Sequence, residues 1–163
     1  MLLRMGIGKK DDTRDLLETV CIVMDRAKIM LVLRRCGLPL NDRPDGGSTV
    51  LAHCLTAIGG GEYYGGCLEH ERAEKAWDLL REIVGKGARW VADKSDLRNT
   101  RSWLRHADRQ QCVEIARVLV ESGAAPRETV AALFGTPMIR RRLGCEAERI
   151  DTIVGVVRRR ISR

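Results

Sequence analysis

Three predicted helices end at a glycine, and the residues before each glycine follow the same apolar pattern. The glycines are Gly37, Gly87 and Gly123, and the chain is apolar four, seven and eight residues before each of them. They lie 50 and 36 residues apart. A unit of about 33 residues fits both intervals if the first holds about 17 extra residues and the second about three. This recurrence predicts short helices that stack on one another to bury their apolar faces.

The composition favours helices packed on helices. Only 4% of the 163 residues are aromatic, and the apolar residues are chiefly Leu, Ala, Val and Ile. The hydrophobic fraction of 44% is too high for a disordered chain, and the charged fraction of 31% is too high for a membrane protein. No run approaches the roughly 18 apolar residues that span a bilayer. The sequence therefore predicts an all-α fold without a transmembrane segment.

The cysteines are widely spread, and none forms a CxxC pair. A chain of 18.3 kDa with an adequate apolar core has little need of disulfides. We therefore expect reduced thiols in a reducing, intracellular compartment, with the cytoplasm preferred over an organellar matrix. Residues 1–10 lack the apolar core of a secretory signal. The cysteines are Cys21, Cys36, Cys54, Cys67, Cys112 and Cys145.

The spacing of apolar residues divides the chain into a lead-in and one helical domain. Residues 1–10 are interpreted as a flexible basic lead-in and residues 11–163 as a single domain. The span 11–36 fits either one long helix or two antiparallel helices broken near Asp25. The region 59–70 is interpreted as a glycine-rich insertion loop, 88–97 as a connection and 137–163 as an Arg-rich helical cap. The other predicted helices cover 49–58, 71–84, 99–107, 108–121, 127–134, 137–143 and 146–160.

The stretch Gly37–Leu55 resembles the ankyrin-repeat family. In that family the helix-ending glycine is followed four residues later by Asn, ten residues later by Gly, and then by Thr and Leu. The residues at those offsets are Asn41, Gly47, Thr49 and Leu51. Looser similarity extends over about residues 12–143, because the glycine-ended helices recur there.

Two departures from the family pattern fall in the same stretch. Val50 stands where Pro is usual, and Ala52 stands where His is usual. The resemblance implies a solenoid of about four degenerate helix pairs with a C-terminal capping helix. It also implies a non-catalytic module or adaptor that binds another protein. Such a module can be a subunit of a larger complex.

The resemblance places partner contacts at the tips of the connections and on the inner faces of the helices. Exposed Tyr and Trp side chains are favoured as binding anchors. The candidate protein-binding residues are Asn41, Arg43, Asp45, Tyr63, Tyr64, Trp90, Asp93, Trp103 and His106.

Positive charge is concentrated at the C-terminal end. The net charge is +7, and residues 137–163 contain eight arginines and three acidic residues. Arginine makes bidentate contacts to phosphate and carboxylate. The alternative function is therefore a basic accessory subunit of a nucleic-acid-containing assembly. The candidate residues for contact with nucleic acid or with an acidic partner are Arg140, Arg141, Arg142, Arg158, Arg159 and Arg160.

No motif of a known catalytic chemistry occurs in the chain. Phosphate-binding GxxxxGK[ST], dinucleotide-binding GxGxxG after a strand, HExxH and GxSxG are all missing. Cys54, Cys67 and His70 could contribute zinc ligands, but their spacing lacks the tight pairs of structural zinc sites. We expect no cofactor, no metal and no enzymatic activity.

Overall fold

The computed structural model of the protein describes residues 26–35, 37–41, 43, 48–59, 68–91 and 94–155. This part of the chain contains eight α-helices and no β-strand, which confirms the all-α prediction. None of the eight helices combines the length and apolarity that a membrane crossing requires. The helices are α1 (Arg26–Arg35), α2 (Val50–Gly59), α3 (Leu68–Gly85), α4 (Lys94–Leu104), α5 (Arg109–Glu121), α6 (Arg127–Phe134), α7 (Pro137–Leu143) and α8 (Glu146–Val154).

The apolar pattern before the three glycines faces one shared core. The residue four positions before each glycine is buried, as are the apolar residues seven and eight positions before Gly87 and Gly123. Before Gly37, Ile29 is buried and Met30 packs against the core from its edge. The buried members of this pattern are Ile29, Leu33, Leu79, Leu80, Ile83, Ile115, Ala116 and Leu119.

The helices contact one another in a chain of neighbours. Helix α2 packs against α3 and α4, and α4 packs against α6. Helix α5 packs against α6 and α8, and α6 also contacts α8. The ends of α2 and α4 approach closely at Gly59, where an added Cβ would lie 2.8 Å from the backbone carbonyl of Trp103. Only glycine allows that approach without a shift of one helix.

Side chains fix several helix starts. The Thr49 hydroxyl accepts a hydrogen bond from the Ala52 N–H at the start of α2, at 3.2 Å. Asp108 and Gln111 form a capping box at the start of α5: the Asp108 carboxylate accepts from the Gln111 N–H, and the Gln111 side chain accepts from the Asp108 N–H. Each contact satisfies an N–H that would otherwise lack a helical partner.

Several predicted helix boundaries differ from the structure. Helix α4 begins at Lys94, not at residue 99, so the predicted connection 88–97 is shorter than expected. The helix predicted over 146–160 ends at Val154, because Gly155 adopts a left-handed φ of 75° and closes the helix. Gly59 belongs to α2 and α3 begins at Leu68. Residues 60–67 of the predicted insertion loop lie outside the described residues, as do the lead-in and most of the span 11–36.

Candidate functional site

Asn41 and Arg43 make internal contacts rather than standing free at a connection tip. The Asn41 side chain accepts a hydrogen bond from the Arg89 N–H at 2.7 Å and donates one to the Gly87 carbonyl at 3.2 Å. The Arg43 guanidinium lies 3.5 Å from the Asp96 carboxylate, which is 2% exposed. Both side chains therefore contribute to packing between segments distant in sequence.

The buried carboxylate of Asp96 organises the start of α4. Its Oδ1 accepts a hydrogen bond from the Ser48 hydroxyl at 2.8 Å, and Arg43 provides the nearby positive charge. A buried charge is costly unless it is paired and hydrogen-bonded. The pair of contacts explains why an Asp occurs in a buried position in the first turn of this helix.

The candidate aromatic residues are partly enclosed. Trp90 is half-buried and packs against the core, and its backbone N–H donates to the Ala124 carbonyl at 2.6 Å. Trp103 is also half-buried, in the last turn of α4. His106 is exposed, and its Nε2 accepts a hydrogen bond from the Arg105 side chain at 2.9 Å. Of these three candidates, only His106 is exposed.

The three arginines of α7 have different surroundings. Arg140 forms two parallel hydrogen bonds to the Asp151 carboxylate, at 2.8 Å and 2.7 Å, and both side chains are largely buried. Arg141 is exposed, and Arg142 is half-buried beside the thiol of Cys112. The bidentate pair with Asp151 already occupies the fork of Arg140 that a phosphate would need.

Burial raises the pKa of the Cys112 thiol to about 11. Against burial, the Arg142 guanidinium acts to lower this pKa, and the Asp108 carboxylate acts with burial to raise it; about 11 is the net result. A thiol with a pKa this high is almost entirely protonated near pH 7, and the thiolate is the nucleophilic form. Cys112 is therefore suited to packing and not to nucleophilic chemistry.

The structure shows a basic stripe that the sequence interpretation missed. The exposed side chains of α4 include Lys94, Arg98, Ser102 and, just after the helix, Arg105. Their spacing of four, four and three residues places them on one face. The expected start of this helix at residue 99 left Lys94 and Arg98 outside the predicted helix. The four-residue spacing from Lys94 to Ser102 was the signal that could have revealed the stripe.

A shallow groove of about 370 Å³ lies beside the connection that follows Gly37. Its floor is apolar, and two basic residues complete the lining. Among the described residues that line the groove there is neither a carboxylate nor a nucleophile. Its lining residues are Met30, Leu33, Arg34, Gly37, Leu38, Leu40 and Lys86.

Some of the remaining candidate residues lie in the described ranges, and the others lie outside them. In the ranges that the structure covers, no three His, Cys, Asp or Glu side chains gather in a way that could hold a metal ion. Cys54, the one zinc candidate whose side chain is described, is buried in α2. The candidates outside the described residues are Asp45, Tyr63, Tyr64, Cys67, Asp93, Arg158, Arg159 and Arg160, together with the side chain of His70.

In comparisons with known proteins, no family model matches the chain, and neither a curated protein nor a solved structure is significantly similar to it.

Proposed function

We propose that this protein is a non-catalytic protein-interaction module built on an ankyrin-like stack of about four helix pairs with a C-terminal cap. The first support is that three helix ends have the same geometry. Gly37, Gly87 and Gly123 have φ values of 64°, 95° and 65°, and each donates its N–H to the carbonyl three residues earlier. Equal helix ends are expected if each belongs to one copy of a repeated unit.

Two of these helix ends each have a further hydrogen bond of the same type. The Leu38 N–H donates to the Leu33 carbonyl and the Ala88 N–H donates to the Ile83 carbonyl, both at 2.8 Å. This five-residue span is the defining bond of the Schellman motif at a helix end. After Gly123 the corresponding bond is longer by one residue, from the Ala125 N–H to the Leu119 carbonyl. The proposed third unit therefore ends with a variant of the same motif.

The observation that carries the proposal is the order of the connections in space. Asn41, four residues after Gly37, bonds to the backbone at Gly87 and Arg89. Trp90, three residues after Gly87, bonds to the Ala124 carbonyl, one residue after Gly123. Each connection thus joins the next one along the chain, as the stacking of repeated units requires.

The helix contacts agree with the same arrangement. In the proposed pairs, α2, α4 and α6 are the first helices, and each contacts the next in the series. α3 follows α2, α5 follows α4, and α8 follows α6 after the short α7. The resemblance to ankyrin repeats then implies that the partner contacts the solvent-facing side of α4 and α6, since α2 has no exposed residue.

The nucleic-acid alternative has less support from the described residues. Arg140 is paired with Asp151, and Arg142 is half-buried beside Cys112, which leaves Arg141 as the fully exposed arginine of α7. Arg158, Arg159 and Arg160 lie outside the described residues. We therefore place protein recognition first and contact with phosphates second.

The proposal is tested by blocking the exposed face of α4 and then recovering partners. Ser102→Trp places a bulky side chain on this face, and Asp78→Trp places the same side chain at an exposed position of α3. Tagged full-length protein is purified from its native cells with and without nuclease, and the partners are identified by mass spectrometry. Circular dichroism checks that both variants retain the helical content of the wild type.

The expected result is a stoichiometric protein partner that survives nuclease, is lost with Ser102→Trp and is retained with Asp78→Trp. Loss of all partners on nuclease treatment would contradict the proposal and favour the nucleic-acid alternative. Equal retention of the partner by both variants would exclude the α4 face as the contact surface.

A further inference from the structure

The exposed face of α4 carries positive charge that nothing in the described residues neutralises. Lys94, Arg98 and Arg105 are exposed and form no ion pair with a described carboxylate. Other basic residues are paired: Arg117 with Glu114, and Arg149 with Glu146. Exposed arginines without a described carboxylate partner also occur elsewhere, as at Arg34, Arg35 and Arg141, but the stripe differs from them in placing three such cations along one helix face.

The opposite face of α4 explains why the stripe is fixed in orientation. Asp96, Thr100 and Leu104 are buried at 2%, 1% and 0% exposure, and they repeat every four residues. The only carboxylate of the helix, that of Asp96, points into this buried face and contacts Ser48 and Arg43. The packed face thus holds the helix with its cationic side chains toward solvent and its one acidic side chain away from them.

From these observations we infer that the partner presents an acidic, extended polypeptide segment that lies along the stripe Lys94–Arg98–Ser102–Arg105. The inference rests on the proposed interaction module and names the class of partner. The stripe is about 16 Å long at 1.5 Å of rise per helical residue. Cations four residues apart are about 6 Å apart along the axis, and alternate side chains of an extended strand are about 6.6 Å apart. Carboxylates at alternate positions of an extended segment therefore match the spacing of Lys94 and Arg98, and Arg105, about 10 Å beyond Arg98, meets a carboxylate further along the segment.

The same surface is less suited to nucleic acid. Single-stranded nucleic acid is bound by cations together with exposed aromatic side chains on which bases stack. The aromatic residue beside the stripe, Trp103, is half-buried in the last turn of α4. The small neutral Ser102 and Asn99 occupy the remaining exposed positions of the helix. A peptide needs no stacking platform, and its backbone can hydrogen-bond to these polar side chains.

The test measures binding of a defined acidic peptide to the full chain. The probe is a fluorescein-labelled 12-residue peptide of alternating Glu and Ser, and a second probe has Gln in place of every Glu. The variant Arg98→Ser/Arg105→Ser removes two charges from the stripe. The matched control Arg34→Ser/Arg35→Ser removes two exposed charges from α1. Fluorescence anisotropy at low and physiological salt gives the affinities, and thermal melts check that both variants are folded.

We expect the Glu peptide to bind at least tenfold more tightly than the Gln peptide, and tenfold or more weakening in the α4 variant. The α1 control should stay within twofold of the wild type. Equal weakening in both variants, or equal binding of both peptides, would overturn the inference. Tighter binding of a 12-nucleotide single strand, lost only in the α4 variant, would also overturn it and assign the stripe to nucleic acid.

The outcomes separate this inference from the proposed function. If Ser102→Trp loses a native protein partner but Arg98→Ser/Arg105→Ser keeps it, the interaction module stands and the acidic-segment inference fails. If neither variant changes the native partner, the proposed contact surface itself is wrong.

Discussion

The side-chain oxygen of Asn41 accepts a hydrogen bond from the backbone N–H of Arg89, which lies 48 residues later in the chain. The amide nitrogen of the same side chain donates to the Gly87 carbonyl. One side chain therefore joins the ends of two glycine-terminated helices. Sequence position alone would place Asn41 at a tip where partners bind, but its contacts assign it to the internal structure.

Removal of this link should lower stability without removing a binding surface. Asn41→Ala loses two hydrogen bonds, each worth about 1 kcal/mol, so we expect the free energy of unfolding to fall by about 2 kcal/mol. Asn41→Asp keeps the acceptor for Arg89 but loses the donor to Gly87, and we expect a loss of about 1 kcal/mol or slightly more. Urea denaturation followed by circular dichroism measures both. Equal stability of Asn41→Ala and wild type would contradict the structural role.

The close contact between α2 and α4 predicts intolerance at Gly59. A Cβ there would lie 2.8 Å from the Trp103 carbonyl oxygen and carbonyl carbon, and 3.0 Å from the Leu104 nitrogen. Because these are backbone atoms, a helix must shift, and overpacking of this kind costs about 1–3 kcal/mol. The control is Gly85→Ala, where no atom lies within 4 Å of the added Cβ. We expect thermal melting to show a large loss for Gly59→Ala and none for the control.

Thr100 offers a stabilising substitution. Its hydroxyl is buried, and no described residue forms a hydrogen bond with it. Thr100→Val replaces the hydroxyl with a methyl group of similar size, so we expect a gain of about 1 kcal/mol and a rise in Tm of about 2–4 °C. Thr100→Ser retains the hydroxyl and loses the methyl group, and should destabilise by about 1 kcal/mol. A loss of stability in Thr100→Val would mean that the hydroxyl has a partner in solution.

The burial of Cys112 predicts which thiols an alkylating reagent modifies and how stability changes at alkaline pH. Its pKa is raised from 9.0 to about 11 by burial, so iodoacetamide at pH 8 should label the exposed Cys145 and leave Cys112 unmodified in the native protein. Peptide mapping by mass spectrometry distinguishes the two thiols. Rapid labelling of Cys112 without denaturant would contradict the burial.

The pKa shift of Cys112 also fixes the sign of the pH effect. The folded state holds the thiol proton more tightly than the unfolded state, so this contribution to stability is complete below about pH 9.0 and is lost as the pH rises through about 11. Its full size is on the order of 3 kcal/mol. Cys112→Ala should show a smaller fall in stability over this range than the wild type. The same fall in both proteins would assign the effect to other groups.

The two neighbouring arginines of α7 should differ in their effect on stability. Arg140→Met leaves the largely buried carboxylate of Asp151 without its bidentate partner, so we expect a loss of about 1–3 kcal/mol. Arg141→Met removes an exposed side chain of the same type and should change stability by less than about 0.5 kcal/mol. Parallel urea titrations compare the two variants. A larger effect at Arg141 would contradict the assignment of Arg140 to the internal pair.

Helix positions and core residues were largely predictable from the sequence, because both depend on local patterns. Helix α5 begins and ends where the apolar spacing and the capping residue Asp108 predict, and α6 follows directly after Pro126. The predicted start of α4 was wrong because the first turn of this helix has little apolar character. Its stability depends instead on Asp96, whose partner Ser48 lies 48 residues earlier.

The candidate site was harder to predict, because exposure depends on distant contacts. Asn41 and Trp90 occupy connection positions, yet one bonds to a remote backbone and the other packs against the core. No local pattern distinguishes these residues from exposed ones such as His106. The basic stripe on α4 was missed for a related reason. Its residues are recognised as one helix face only if the helix is known to begin at Lys94.

The left-handed glycines also determine which genetic changes the chain tolerates. Every single-base missense change in a glycine codon adds a β-carbon, and at Gly37, Gly87 and Gly123 nothing lies within 4 Å of it. The cost there comes from the backbone alone, at about 1–2 kcal/mol, and is smaller for Asp, which visits the left-handed region more readily, than for β-branched Val. At Gly59 the backbone of a neighbouring helix is the obstacle, so the cost grows with the size of the new side chain. A survey of natural alleles would therefore find moderate defects at the three helix ends, set by backbone preference, and severe ones that grow with side-chain size at Gly59.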